Sequence, residues 1–238
     1  MCGRFAASAG VDEYVEVFGV DEVVDSPAPS FNFAPTDPIP AIVERVDRES
    51  GATVRKLVTP RWGLVPSWSK DAAGAARMIN ARVETVASKP AFRSAFGARR
   101  CLIPADGYYE WVTRPATGLG GKAVKQPFFL RPADGGLLVM AGLYEFWRTP
   151  AGEWLTTATI ITATATDALG HLHDRMPMVV GPDAWASWLD PHLSGPDAAV
   201  SLLSVPEGLT AYAVSTLVNR VANDGPELVL PLAEHPQG

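Results

Sequence analysis

Cysteine is nearly absent from this 238-residue chain, with only Cys2 and Cys101. Two thiols cannot build a multi-bridge framework, and no second Cys or His stands at a metal-ligand spacing from either. Long apolar runs are missing too. No stretch approaches the 18 or more residues of a membrane span, and Arg4, Asp12 and Glu13 interrupt any signal-peptide core in MCGRFAASAGVDEYVEVF. The expectation is a cytoplasmic protein with no membrane, metal or cofactor requirement. Charged residues are scarce at 19% against 47% apolar, which excludes a disordered, self-repelling chain. Repeats and low-complexity tracts are lacking as well, which excludes solenoids and arrays.

What is present is enough apolar sequence for one full-sized core, since a chain of this length buries roughly 70% of its surface on folding. Val11, Tyr14, Val15 and Phe18 follow the spacing of an amphipathic helix, with Gly19 placed to cap it. Trp185, Trp188 and Leu189 repeat the pattern after Gly181-Pro182 and read as core. Strand-like runs occupy 41–46, 54–65, 101–111, 128–130, 137–146, 155–163 and 211–215, separated by short Gly/Pro/Asp turns rather than regular helices. The predicted class is α+β: a single domain over 1–238 with a mostly antiparallel, curled or barrel-like sheet flanked by short helices. The stretch 113–127, containing TGLGGK, lacks the P-loop pattern and reads as a mobile hairpin loop.

The net charge of −6 argues against a polyanion partner until its distribution is considered. Residues 55–100 hold ten basic and two acidic side chains, a local +8, leaving −14 elsewhere. A basic groove is allowed, and so is an ordinary solvated face.

Cys2 is the sharpest chemical feature. If Met1 is removed, its α-amine and thiol stand on adjacent carbons, with reference pKa values of roughly 7.7 and 8.5, so both are partly nucleophilic near neutrality. An amine converts an aldehyde to an imine, and a neighbouring thiol closes that imine to a thiazolidine. Proton-transfer partners are on offer. Glu110 lies in the aromatic segment PADGYYEW, which would desolvate it and raise its pKa; His173 lies in HDRMP; Asn80 lies in INARVET, where helix capping is the competing role. Trp62 and Trp68, in RWGLVPSWSK, divide between a core-like position beside Gly63 and an exposed one between Ser67 and Ser69, where a base could stack. Cys101 reads as an inert core thiol. Two further classes stay open: an N-terminal-nucleophile amidohydrolase of the glutaminase kind, which also begins Met-Cys-Gly, and a non-catalytic single-strand binding module.

The segments MCGRF, FNFAP, RWGLVPSW, INARVET, RRCLIPADGYYEW, QPFF, TATATD, HDRMP and VNR occur in that order. In this the chain resembles the SOS-response-associated peptidase (SRAP) family of abasic-site processing proteins over nearly its whole length. The resemblance implies that Cys2 is the nucleophile that crosslinks to the ring-opened aldehyde of an abasic site in single-stranded DNA. It implies catalytic roles for Glu110, for His173 in sugar opening and for Asn80 in holding Cys2. It implies a DNA groove lined by Gly3, Arg4, Pro35, Trp68, Arg77, Arg82, Thr162 and Arg175. Lyase side activity, peptidase activity confined to removal of Met1, a monomeric state and nucleoid association on DNA complete the expectation.

Overall fold

A computed structural model describes residues 2–26, 28–114, 123–165 and 172–233. Most of the Gly-rich stretch read as a mobile loop, and His171 of the HDRMP segment's approach, lie outside them. The helix α1 spans Val11–Phe18 and buries Tyr14 and Phe18, and it stops where Gly19 adopts the left-handed conformation at φ 61°. Among the described residues the four other α-helices are short: α2 (Val83–Val86), α3 (Arg93–Ala98), α4 (Trp185–Leu189) and α5 (Pro196–Val200). Trp188 is fully buried while Trp185 is only partly so. No helix among the described residues is long and apolar enough to cross a membrane.

Strands carry the architecture. They are β1 (Phe5–Ala7), β2 (Glu22–Val23), β3 (Ser30–Phe33), β4 (Ala41–Val46), β5 (Thr53–Val58), β6 (Arg61–Trp62), β7 (Asn80–Arg82), β8 (Arg100–Ala105), β9 (Gly107–Arg114), β10 (Val124–Pro132), β11 (Leu138–Arg148), β12 (Trp154–Thr164), β13 (Arg175–Pro177) and β14 (Leu209–Ala213). One sheet runs β14-β10-β9-β1-β3; the other runs β13-β12-β11-β8-β4-β5-β2. Both are open, so the antiparallel-rich α+β expectation holds but the sheet does not close into a barrel. Two long runs expected as single strands are split. Thr59-Pro60 separates β5 from β6, because proline has no amide to donate to a ladder, and a bend at Asp106 separates β8 from β9.

The pairing of β12 is mixed. One edge pairs antiparallel with β11 and, beyond it, with β13; the other edge takes two short pieces, β6 and β7, both parallel. Arg61 lies opposite Thr157, Asn80 opposite Ile160, Arg82 opposite Thr162 and Arg175 opposite Thr164. Chain segments more than 100 residues apart thus deliver side chains in series along one strand.

Arg100 shows how the small helices are fixed. It is 2% exposed, and its guanidinium donates to the carbonyls of Phe96 (2.8 Å), Trp188 (2.8 Å) and Asp190 (2.6 Å). These are terminal carbonyls of α3 and α4 that have no partner within their own helix. One cation thereby joins two helices to β8.

Gly107 sets the crossing of the first sheet. A Cβ there would stand 2.4 Å from the Leu130 carbonyl oxygen and 2.7 Å from Phe129 Cζ, inside van der Waals contact with backbone that cannot swing away. Gly107→Ala is therefore expected to cost about 2 kcal/mol or more in denaturant unfolding. Gly10→Ala, where an added Cβ meets nothing within 4 Å, is expected to be near neutral. Equal effects would mean that β9 has room to move.

Candidate active site

Cys2 precedes β1, whose partners are β9 on one side and β3 on the other. The pairs Phe5 with Tyr108 and Ala6 with Gly107, continued by the Tyr109 amide donating to the Arg4 carbonyl at 2.9 Å, run the chain start alongside the part of β9 that holds Glu110. Asn80 approaches from β7, held there by β12. It is a strand residue, not a helix cap, and its Nδ2 donates to the Cys2 carbonyl at 2.9 Å. Its Oδ1 is buried and has no hydrogen-bond partner among the described residues. An unmet acceptor in an enclosed site marks a position for an incoming donor. His173 follows the buried Leu172 and precedes β13; its Nδ1 lies 2.7 Å from Asp174 Oδ1 and 3.0 Å from the Arg175 amide.

Electrostatics ties these groups together. Cys2 is fully buried and Glu110 is 3% exposed. Burial pushes the Cys2 thiol well above its ordinary range, and the nearby Glu110 charge pushes it further. The sequence reading of a partly ionised thiol is therefore corrected: desolvation keeps Cys2 protonated. Burial likewise raises the Glu110 carboxyl from the ordinary 4.5 to about 7, opposed by the positive amino terminus of the chain and aided by Asp174. His173 moves down, first through desolvation and then through the same amino-terminal charge, with Asp174 opposing. Glu110 thus titrates near neutrality, and His173 favours its neutral form.

The residues expected to line a groove are distributed unevenly. Trp68 is 67% exposed, as its serine neighbours implied, whereas Trp62 is fully buried and donates its indole N–H to Ile79. Arg77 and Arg82 are exposed, and Gly3 and Pro35 are half-buried. Thr162 is buried. Arg175 is largely committed to structure: it pairs bidentately with Glu84 (2.7 and 3.0 Å) and donates to Thr162 and Thr164. Arg4 donates to Asn32 Oδ1 at 2.6 Å and to the Val218 carbonyl at 2.9 Å. The +8 segment is also less available than its count implies. Arg55 and Lys56 pair with Glu44 and Glu22, Arg99 pairs with Glu145, and Arg100 is buried. Lys70, Arg77, Arg82, Lys89 and Arg93 remain exposed to carry the positive face.

Sequence reasoning passed over Asn32 and Trp111. The Asn32 amide donates to the carbonyls of Val218, Arg220 and Asn223, which joins the FNFAP and VNR segments. Trp111 donates to Asn219 at 2.6 Å, and with Arg4 and Lys125 these two line a cavity of about 400 Å³. Trp111 directly follows Glu110, which was the available signal. Among the described residues no cluster of His, Cys, Asp and Glu could hold a metal ion.

A family model described as SOS response associated peptidase (SRAP) matches residues 1–221. The chain belongs to the SRAP family. Among its relatives is a protein of Bacillus subtilis (strain 168) named abasic site processing protein YoqW. It is 38% identical over 234 residues, covering 96% of this chain and 99% of that one. The protein of Gallus gallus named abasic site processing protein HMCES is 34% identical over 230 residues, covering 86% of this chain and 66% of that longer one. Among solved structures, a protein from Bacteroides thetaiotaomicron superposes with a TM-score of 0.80 at 25% identity, covering 97% of this SRAP chain and 100% of its own.

The raised Glu110 carboxyl has a stability signature. Between the unfolded value near 4.5 and the folded value near 7, the native state holds a proton that the unfolded chain has lost, so wild-type stability falls as pH rises through that window. The full loss is on the order of 3 kcal/mol. Glu110→Gln removes the titration, so its stability relative to wild type is expected to improve from pH 5 to pH 8. A pH-independent difference in thermal or denaturant unfolding would contradict the assigned desolvation.

Proposed function

We propose that this chain processes abasic sites in single-stranded DNA by covalent capture on Cys2 once Met1 is removed. The observation that carries the reading is the Asn80 amide bound to the Cys2 carbonyl at 2.9 Å, with its other end unmet among the described residues, next to a carboxyl that titrates near 7. The names of the relatives point to the same substrate.

The chemistry follows from the tuning of the site. A neutral His173 whose Nδ1 carries its proton toward Asp174, 2.7 Å away, keeps its basic lone pair on Nε2, which accepts a proton from the sugar hydroxyl and so assists opening of the ring to its aldehyde. The Cys2 amine attacks the aldehyde carbon, and the resulting carbinolamine loses water to become an imine. Because burial keeps the thiol protonated, the amine reacts first. The sulfur then adds to the imine carbon as Glu110 takes the thiol proton and returns one to the nitrogen. Two bonds to the sugar carbon, one C–N and one C–S, replace its carbonyl, with release of one water. An imine that escapes the thiol undergoes β-elimination, which is strand-cleaving lyase activity. Peptidase activity is confined to removal of Met1. Asn80 holds the Cys2 backbone while its oxygen accepts from the amine or a sugar hydroxyl.

DNA approaches over the exposed Lys70, Arg77 and Arg82, with Trp68 offering a stacking face. Gly3 and Pro35 border the path, and Arg4, Thr162 and Arg175 shape its wall from their structural positions. The whole of 1–238 acts as one monomeric domain, cytoplasmic and at the nucleoid when on DNA.

Mature protein mixed with a single-stranded oligonucleotide carrying one abasic site is expected to give an adduct that survives a denaturing gel, and intact DNA none. Cys2→Ala should abolish the adduct and retain non-covalent binding. Glu110→Gln should slow it about tenfold to a hundredfold and flatten the rise in rate expected from pH 6 to pH 8. An undiminished adduct in Cys2→Ala would falsify the mechanism.

A further inference from the structure

Trp154 opens β12 and is 71% exposed, although nothing in the Cys2 chemistry uses it. It walls a cavity of about 390 Å³ together with Arg45, Arg61 and the hydroxyl-bearing Thr36, Thr59 and Thr156. Asp25 is the one acidic residue of that lining. The Arg45 guanidinium lies 4.6 Å from the centre of the Phe146 ring, and its Nε is buried without a hydrogen-bond partner among the described residues. Thr36 holds φ 80°, a costly conformation for a β-branched residue, and follows directly on Pro35. An indole face, two guanidinium groups and three hydroxyls in one hollow match an aromatic base bearing a phosphate. A larger cavity of about 560 Å³ is lined by Glu13, Asp134 and Glu207 and by no basic residue, so it repels a phosphate chain.

The position of this hollow is fixed by β12. Arg61 is opposite Thr157, Asn80 opposite Ile160 and Arg82 opposite Thr162, all on the same strand edge. At a rise of about 3.3 Å per residue, Trp154 lies about 20 Å along the strand from Ile160 and hence from the Asn80 clamp. Stacked nucleotides at about 3.4 Å each would make that at most about six positions.

The geometry points to a second nucleic-acid subsite, in which an unpaired base of the captured strand stacks on Trp154 and an adjacent phosphate sits between Arg45 and Arg61. This rests on the reading that the Cys2 groove takes single-stranded DNA, and it lengthens that groove toward the start of β12. Bases several nucleotides from the lesion then add affinity without regard to sequence, because every base offers a π face.

The test is equilibrium binding of intact single-stranded 17-mers, read by fluorescence polarisation, for wild type, Trp154→Ala and Trp154→Phe. Trp154→Ala should weaken binding at least fivefold, and Trp154→Phe should recover most of it. Strands carrying a marked central abasic site, with the 5′ or the 3′ arm trimmed to two nucleotides, should show the penalty lost for one trimming only. Because Trp154 is on the surface, thermal unfolding of both variants should match wild type. Trp154→Ala binding the 17-mer as tightly as wild type overturns the subsite, as does failure of wild type to bind it at all. Crosslinking of wild type to the abasic strand, scored in parallel, reports on the Cys2 chemistry alone. A crosslink with no Trp154 effect sinks only the subsite, and a Trp154 effect with no crosslink sinks only the chemistry.

Discussion

Removing water from around the chain start changes three titratable groups at once. Glu110 sits at 3% exposure between β1 and β10, and Cys2 at zero. Loss of hydration penalises whichever form is charged, so the same environment that brings a carboxyl up toward 7 also keeps a thiol neutral and an imidazole unprotonated. A solvated version of this site would hold an ionised glutamate, unfit to donate a proton and weak as a base. Depth of burial, more than the identity of any one residue, sets the acid–base character around Cys2.

That burial depends on packing far from the reacting atoms. Phe5 stacks on Phe33 at 5.1 Å and meets Trp62 edge-on at 5.1 Å, so the strand that Cys2 leads into is wedged between two aromatic rings from other elements. The Trp62 indole in turn donates to Ile79, the residue before Asn80. One chain of contacts thus fixes both the nucleophile and its clamp. Arg4 belongs to this framework as well: its bonds to Asn32 and Val218 tie the first strand to the 216–223 segment. A guanidinium so held presents a pre-oriented charge toward the cavity it lines, at little further entropic cost.

Periodicity and turn chemistry made local elements legible. The i, i+3, i+4, i+7 spacing gave α1 with its Gly19 cap, and the aromatic neighbours of Glu110 foretold a desolvated carboxyl. Pairings across the chain were not legible. A two- or three-residue strand such as β6 or β7 has too few positions to show alternation, and its parallel partner lies about 80 to 95 residues away. Helix capping therefore stood as a competing role for Asn80, which is a ladder residue. Charge counting failed for the same reason. Arg55, Lys56 and Arg99 are neutralised by Glu44, Glu22 and Glu145, partners that a local window either omits or cannot match to them.

Strand β12 reconciles these observations. One of its edges carries β6 and β7 and the other, past the last β11 pair, carries β13; none of the three is long enough to persist alone, so each is stable only while hydrogen-bonded to it. Arg61, Asn80, Arg82 and Arg175 then inherit a fixed order and spacing from the 3.3 Å rise of about one residue in an extended chain. Loops carrying the same four side chains would have to be ordered by the ligand, at the expense of affinity. Building them on a shared strand places that entropy cost on folding, before any substrate arrives. The same economy makes the edge vulnerable: a substitution that unpairs β7 would release Asn80 and Arg82 together, and with them the contact that holds Cys2.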